Sequence, residues 1–221
     1  MKFPGERFLR FRCTGCGNCC REPLLPLTDG DVRRIMARTG DRATDLVRWV
    51  DRDGIELDDE PEAFVELRQG RRAMVLRHER GACRYLGPDS RCTIYEARPL
   101  GCRVYPFDPT FGRDGKLRRL RVVQATDCPY GLDGKNSVRD IREGDDAYQA
   151  AHHRYNERIA EWNRAQRARK RAGRSAGTAR QFLKFLGLDE ASAASPAPAP
   201  RPAAARQGSG SPAGRARASS R

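Results

Sequence analysis

The chain has 221 residues, 38% of them hydrophobic, which is room for one ordinary domain plus appendages and excludes two full domains. The formal net charge of +14 is unevenly placed: residues 1–153 carry 28 Lys and Arg against 25 Asp and Glu, and residues 154–221 carry 15 against 4, so the positive excess belongs to the C-terminal third. No apolar run approaches the roughly 20 residues that span a bilayer, which excludes a membrane-spanning helix.

The opening Met1-Lys2-Phe3-Pro4-Gly5-Glu6-Arg7 puts charge and proline where a signal peptide needs an apolar stretch, so the expected location is the cytoplasm. In that compartment cysteines stay reduced, and clustered thiols there mark metal or redox chemistry. A first cysteine cluster at 13–20 lies in a loop with Gly15 and Gly17, followed by Pro23 and Pro26. A helix follows: Thr28 with Asp31 forms an N-capping arrangement, Val32, Ile35 and Met36 share one face, and Gly40 is a stop. A second amphipathic segment runs through Leu46, Val47, Trp49 and Val50 to about Asp53.

Residues 56–66 are strongly acidic and read as a surface loop. Ala73 to Leu76 is a short apolar run with strand character, and Leu117 to Val123 is another, preceded by the turn sequence Gly112-Arg113-Asp114-Gly115. Between them lies the second cysteine region, residues 83–102, ending in Tyr105-Pro106-Phe107, and Cys128-Pro129 closes the cysteine-bearing part. Residues 137–171 form a long helix in which Ile141, Tyr148, Tyr155, Ile159 and Trp162 recur as a packing seam, with Gly144 a candidate bend. Thr178 opens a short capped helix reaching Gly187, with Phe182, Leu183, Phe185 and Leu186 on or near one face. Residues 191–221 contain only Ala, Ser, Pro, Arg, Gln and Gly, a composition that cannot offset its conformational entropy and is expected to be disordered.

All eight cysteines lie between residues 13 and 128: Cys13, Cys16, Cys19 and Cys20 in a C-x2-C-x2-C-C array, then Cys83, Cys92, Cys102 and Cys128. A two-residue spacer lets both thiolates of a pair turn onto one metal, and glycine permits the positive φ angles such loops demand. Side chains of adjacent residues normally diverge, so Cys19 and Cys20 are expected to serve different partners. Two inventories follow: two four-cysteine zinc sites, or one iron–sulfur cluster with cysteines left for redox or a second metal. The C-x2-C-x2-C spacing with a remote Cys-Pro also matches the bacterial ferredoxin-type signature. A disulfide framework fits neither the compartment nor the tight clustering.

These residues resemble a known family, the CxxCxxCC cysteine-cluster or YkgJ-like proteins, described as zinc- or iron-chelating. The resemblance rests on Phe11-Arg12-Cys13-Thr14-Gly15-Cys16-Gly17-Asn18-Cys19-Cys20, on Cys83 and Cys92, on Tyr95-Glu96-Ala97-Arg98-Pro99-Leu100-Gly101-Cys102-Arg103-Val104-Tyr105-Pro106-Phe107, and on Asp127-Cys128-Pro129. It implies metal chelation by these cysteines. A flagellin lysine N-methylase group is similar in its cysteine motif, which makes an iron–sulfur-dependent redox or group-transfer enzyme the alternative, although motif kinship does not identify a substrate.

Arg98 and Arg103 bracket Cys102 and are the candidates to balance thiolate charge or donate N–H to sulfur, with ion pairs to Glu96 or Asp108 as the ordinary alternative. Tyr95 and Tyr105 are candidates to cover the centre. Of the three histidines, His78 precedes Cys83 by five residues and is weighed as a ligand against a plain structural role, while His152 and His153 fall on the long helix. Residues 164–174 hold six basic side chains in eleven positions, either a solvated helix face or a nonspecific nucleic-acid contact. P-loop, G-x-S-x-G and Rossmann glycine patterns are missing, which excludes the ordinary NTPase and serine-hydrolase classes.

The expected architecture is a small, irregular α+β metal-stabilised domain over residues 1–135 with a few short strands, a helical extension with a basic segment over 136–187, and a disordered tail over 188–221. The expected cofactor is an iron–sulfur cluster or zinc.

Overall fold

The computed structural model describes residues 8–22, 24–55, 61–123 and 127–189. Two short strands, β1 (Phe8–Leu9) and β2 (Arg12–Cys13), precede helix α1 (Asp29–Thr39), the one-turn helix α2 (Ala43–Leu46), and strands β3 (Val47–Val50), β4 (Val65–Leu67) and β5 (Gly70–Leu76). The short pair β6 (His78–Glu79) and β7 (Ala82–Cys83) leads to helix α3 (Leu100–Val104) and the hairpin of β8 (Phe107–Phe111) and β9 (Leu117–Val122). Strands β10 (Tyr130–Gly131) and β11 (Asn136–Ser137) then introduce the long helix α4 (Val138–Arg171), and α5 (Ala179–Phe185) is the last element among the described residues. The mixed helix and strand content and the long C-terminal helix are as the sequence implies. The expected tail lies, from residue 190 onward, outside the described residues, as do residues 56–60 of the acidic stretch.

Helix α1 begins and ends where its signals stand. Thr28 accepts from the Asp31 N–H, the Asp31 carboxylate accepts from the Thr28 N–H, and Gly40 closes the helix in the left-handed conformation at φ 75°. The second amphipathic segment is a strand through most of its length. Val47, Trp49 and Val50 are β-branched and aromatic residues, and they pair antiparallel with Leu76, Met74 and Ala73 of β5. The acidic surface loop expected over 56–66 fails at its C-terminal end: Phe64 and Val65 are buried, and β4 pairs with β5 in the register Val65↔Arg72 to Leu67↔Gly70. There the alternation of Val65, Glu66 and Leu67 overrides the local charge.

The central sheet has the order β3-β5-β4. Residues 25–27 extend it, with the Leu27 N–H donating to the Met74 carbonyl and the Leu76 N–H to the Leu25 carbonyl, both at 2.9 Å. Helix α4 lies along β4 and supplies what that edge lacks. The Asn163 side chain accepts from the Glu66 N–H at 2.7 Å and donates to the Phe64 carbonyl at 2.9 Å, while the Trp162 indole N–H donates to the Glu66 carbonyl at 2.9 Å. A buried side-chain amide thus takes the place of a neighbouring strand and blocks edge-to-edge pairing.

Tyr155, Ile159 and Trp162 of α4, Phe182, Leu183 and Leu186 around α5, and Leu188 beyond it join Val32, Ile35, Leu46, Val65 and Leu76 in one hydrophobic cluster. Phe182 is its hub: its ring meets Trp49 at 5.9 Å, Trp162 at 5.3 Å and Phe185 at 6.0 Å, and burying such a side chain contributes about 2–3 kcal/mol. The packing seam read from the sequence is therefore a docking seam onto the β3-β5-β4 core. Its N-terminal members differ, with Ile141 buried and Tyr148 half-buried beside Gly101 of α3. Among the described residues, no helix is long and apolar enough to cross a membrane.

Candidate metal centre

The first cysteine loop is held against the segment around Cys128 by backbone and side chains together. Strand β2 pairs antiparallel with β10 in the register Cys13↔Tyr130 and Arg12↔Gly131. The Thr14 hydroxyl donates to the Pro129 carbonyl and the Asn18 amide to the Asp127 carbonyl, both at 2.8 Å, and Arg12 pairs with Asp133 at 2.8 Å. The approach is close enough that a Cβ on Gly134 would overlap the Phe11 carbonyl oxygen. As a result Cys16 and Cys128, 112 positions apart, have their sulfurs 3.6 Å from each other.

Gly15 and Gly17 take the positive φ angles expected of them, 71° and 75°. Gly17 opens a tight turn over Asn18–Cys20, in which the Cys20 N–H donates to the Gly17 carbonyl at 3.0 Å. A side chain at Gly17 would also press on the Ser90 carbonyl at 3.1 Å and on Leu86 at 3.2 Å, so only glycine lets this loop pack on the second cysteine region. That region folds back on itself through the Leu86↔Cys92 bridge, with Thr93 donating to the Tyr85 carbonyl through its N–H at 2.9 Å and its hydroxyl at 3.1 Å. Cys83 ends β7, and Cys102 lies within α3.

The electrostatics divide the thiols into two neighbouring sets. Burial pushes the Cys102 thiol up to about 12, reinforced by the charges of Cys83, Cys92 and Cys19 and opposed by Arg98. Burial likewise raises Cys83 and Cys92, each of which also feels Cys19. Cys19 and Cys20 do not diverge as expected of adjacent side chains, because their thiols are hydrogen-bonded. That bond raises Cys19, which keeps its proton, and lowers Cys20 against burial and the nearby Cys83, Cys102 and Cys92. At Cys16 a hydrogen bond from the Asn18 backbone lowers the thiol, but burial and the Cys128 sulfur outweigh it, with Cys19 adding to the rise. Cys19 therefore acts on both the Cys16/Cys128 set and the Cys20/Cys83/Cys92/Cys102 set, and Cys13 and Cys19 are the exposed members of the eight.

This donor set suits a soft cation. Several half-buried thiols raise one another's pKa because their thiolates repel, and a bound metal ion replaces that repulsion with attraction. Among the described residues, no group of three or more His, Cys, Asp and Glu side chains is already closed to coordination geometry. The sulfurs are gathered rather than caged.

The charge of Arg98 lowers Cys19, Cys92 and Cys102, and its guanidinium stacks on the Tyr95 ring at 3.8 Å. Arg103 turns elsewhere, donating to the backbone carbonyls of Glu96 and Arg98, so it braces the turn that carries Arg98. It forms neither of the anticipated ion pairs, and Asp108 is taken by Arg121 at 2.6 Å. Tyr95 is 57% exposed and serves as a platform for Arg98 rather than a cover over sulfur. His78 sits across the strand pair from Cys83, lowered by burial and by Arg48. His152 stacks on Tyr148 at 4.2 Å, and His153 is 3.8 Å from Glu157.

Sequence reasoning missed the buried tie between α1 and the cysteine-bearing turn. Asp31 is only 1% exposed, and beyond capping its own helix its carboxylate accepts the Leu100 N–H at 2.9 Å and pairs with Arg34. Arg34 in turn donates to the Arg98 carbonyl at 3.4 Å. The capping box was legible as a local motif, whereas its reach across 69 positions was not.

A family model described as "CxxCxxCC: Putative zinc- or iron-chelating domain" matches residues 12–129. No curated protein and no solved structure matches the chain at a significant level.

Proposed function

The chain belongs to the CxxCxxCC family, and from that membership we propose that it chelates iron, as an iron–sulfur cluster, or zinc through eight cysteine thiolates arranged as two adjacent four-thiolate sets. The first set is Cys13, Cys16, Cys19 and Cys128, and the second is Cys20, Cys83, Cys92 and Cys102. The observation that carries this reading is the long-range gathering of thiols: Cys16 lies 3.6 Å from Cys128, and Cys20 feels the charges of Cys83, Cys102 and Cys92 together. Cys19 touches both sets, and its assignment to the first rests on its action at Cys16 and on the C-x2-C-x2-C spacing.

The composition of the first set favours iron–sulfur, since three closely spaced cysteines completed by a remote Cys-Pro is the ferredoxin-type arrangement. Four thiolates leave a formal charge of about −2 on a zinc site or an oxidised four-iron cluster. Arg98 offsets that charge, and Arg103, Arg34 and Asp31 hold the turn that presents it. A reducing cytoplasm is the compartment in which such thiolates stay available.

The test is metal and acid-labile sulfide analysis of anaerobically purified protein, read with visible absorption. Iron–sulfur loading gives charge-transfer absorption that bleaches with dithionite, and zinc gives bound metal without colour. Protein that binds neither metal would overturn the proposal.

A further inference from the structure

The positive excess of the chain lies, among the described residues, over the end of α4, the loop after it and α5. Trp162 to Leu188 contains eight basic residues and no acidic one, and all eight are exposed. Folding adds a cation from far away: the Arg68 N–H, at the β4–β5 hairpin, donates to the Gly177 carbonyl at 2.8 Å, which sets Arg68 beside the loop over 172–178. Arg167 and Lys170 share the single carboxylate of Glu66, at 3.3 and 3.1 Å, so even these paired charges leave an excess. The side chains of Arg68, Arg164, Arg171 and Arg174 have no partner among the described residues.

Cations near a helix C-terminus have an ordinary purpose, stabilising the dipole, but that effect fades beyond the last turn. Arg169, Lys170 and Arg171 already occupy that turn. Arg164 lies about two turns earlier and Arg68 on a different element, so the dipole does not account for them.

We propose that this surface binds the sugar–phosphate backbone of nucleic acid without reading base sequence. Arginine presents a planar fork that matches phosphate oxygens bidentately, and arginine dominates here. Among the described residues the exposed large apolar side chains Phe8, Tyr95, Val122, Val123, Tyr130 and Leu132 all lie on other segments, so these residues offer the surface neither an apolar wedge for lipid nor an aromatic platform for stacked bases.

The test is fluorescence anisotropy of the full-length, metal-loaded protein with a labelled single-stranded oligoribonucleotide of mixed sequence across a range of potassium chloride. Each phosphate contact contributes about −0.7 to the slope of log affinity against log salt, so the four unpartnered arginines predict a slope of about −3. The R68Q/R164Q/R171Q/R174Q variant is expected to bind about tenfold or more weakly with most of that slope lost. Its metal content and melting temperature are expected to be unchanged, because these side chains hold no other described residue in place. The R201Q/R206Q/R215Q/R217Q/R221Q variant, which removes a similar charge from the tail, is expected to keep the slope. The proposal is overturned by no binding at low salt, by a loss that follows the tail variant instead, or by phosphatidylserine vesicles binding more tightly than the oligonucleotide with the same dependence on the four arginines.

Discussion

Replacing Asp31 separates the role of a helix cap from that of a tie to the candidate metal centre. The carboxylate accepts from the Thr28 N–H at 3.0 Å, the Thr28 hydroxyl at 2.8 Å and the Leu100 N–H at 2.9 Å, and it pairs with Arg34. In Asp31→Ala all four donors lose an acceptor that is itself buried, and breaking such a tie is expected to cost about 3 kcal/mol. Asp31→Asn is the informative variant. It keeps the volume but turns one oxygen into an NH2 group, so a donor faces either the Leu100 N–H and Arg34 or the Thr28 cap, for about 1–3 kcal/mol. Thr28→Ala removes the cap and one hydroxyl donor to Asp31 but leaves the Leu100 and Arg34 ties, and is expected to cost about 1 kcal/mol. The assay is a thermal melt paired with zinc competition against a chromophoric chelator. Because Leu100 sits two residues before Cys102 and Arg34 reaches the Arg98 carbonyl, Asp31→Asn is expected to weaken metal binding about 10- to 100-fold, as loss of outer supports does, with Thr28→Ala close to the parent. Equal metal affinity in all three proteins would refute the reasoning, because Asp31 would then act on the fold alone.

Three further outcomes follow from the same structure. Gly17→Ala places a Cβ in a left-handed backbone and against the Ser90 carbonyl, so it is expected to lower stability by about 1–2 kcal/mol and to reduce metal content at saturation, measured by elemental analysis. Asn163→Ala leaves the Glu66 N–H and the Phe64 carbonyl of an edge strand without partners, and a loss of about 2–4 kcal/mol in denaturant unfolding together with aggregation on light scattering is expected. Burial raises the Cys102 thiol from 9.0 to about 12, so a metal that binds there must displace its proton. The loaded protein is expected to lose metal as pH falls, measured by elemental analysis of samples equilibrated at each pH.

What the sequence made legible was local. Thr28, Asp31 and Gly40 delimit α1, and Thr178 opens α5, because each signal lies within a few residues of the groups it satisfies. The positive φ angles at Gly15 and Gly17 were legible for the same reason. The grouping of the thiols was not, since Cys128 is brought to Cys16 by β2–β10 pairing and by Thr14 and Asn18 reaching backbone carbonyls, neither of which leaves a periodic trace. Residues 65 and 66 end an acidic run, and it is their pairing with β5 that makes them strand rather than surface loop. Adjacency to Cys102 in sequence does not aim the Arg103 side chain at its sulfur, and it donates instead to backbone carbonyls.

The central claim is that folding and metal binding are one event in the cysteine-bearing body. Its most direct test is a thermal melt of anaerobically prepared protein before and after metal removal by a strong chelator, with metal and sulfide quantified in the same samples. Loss of the cooperative transition on removal, and its return on reloading, is the predicted result. An unchanged transition in protein shown to be metal-free would contradict the account.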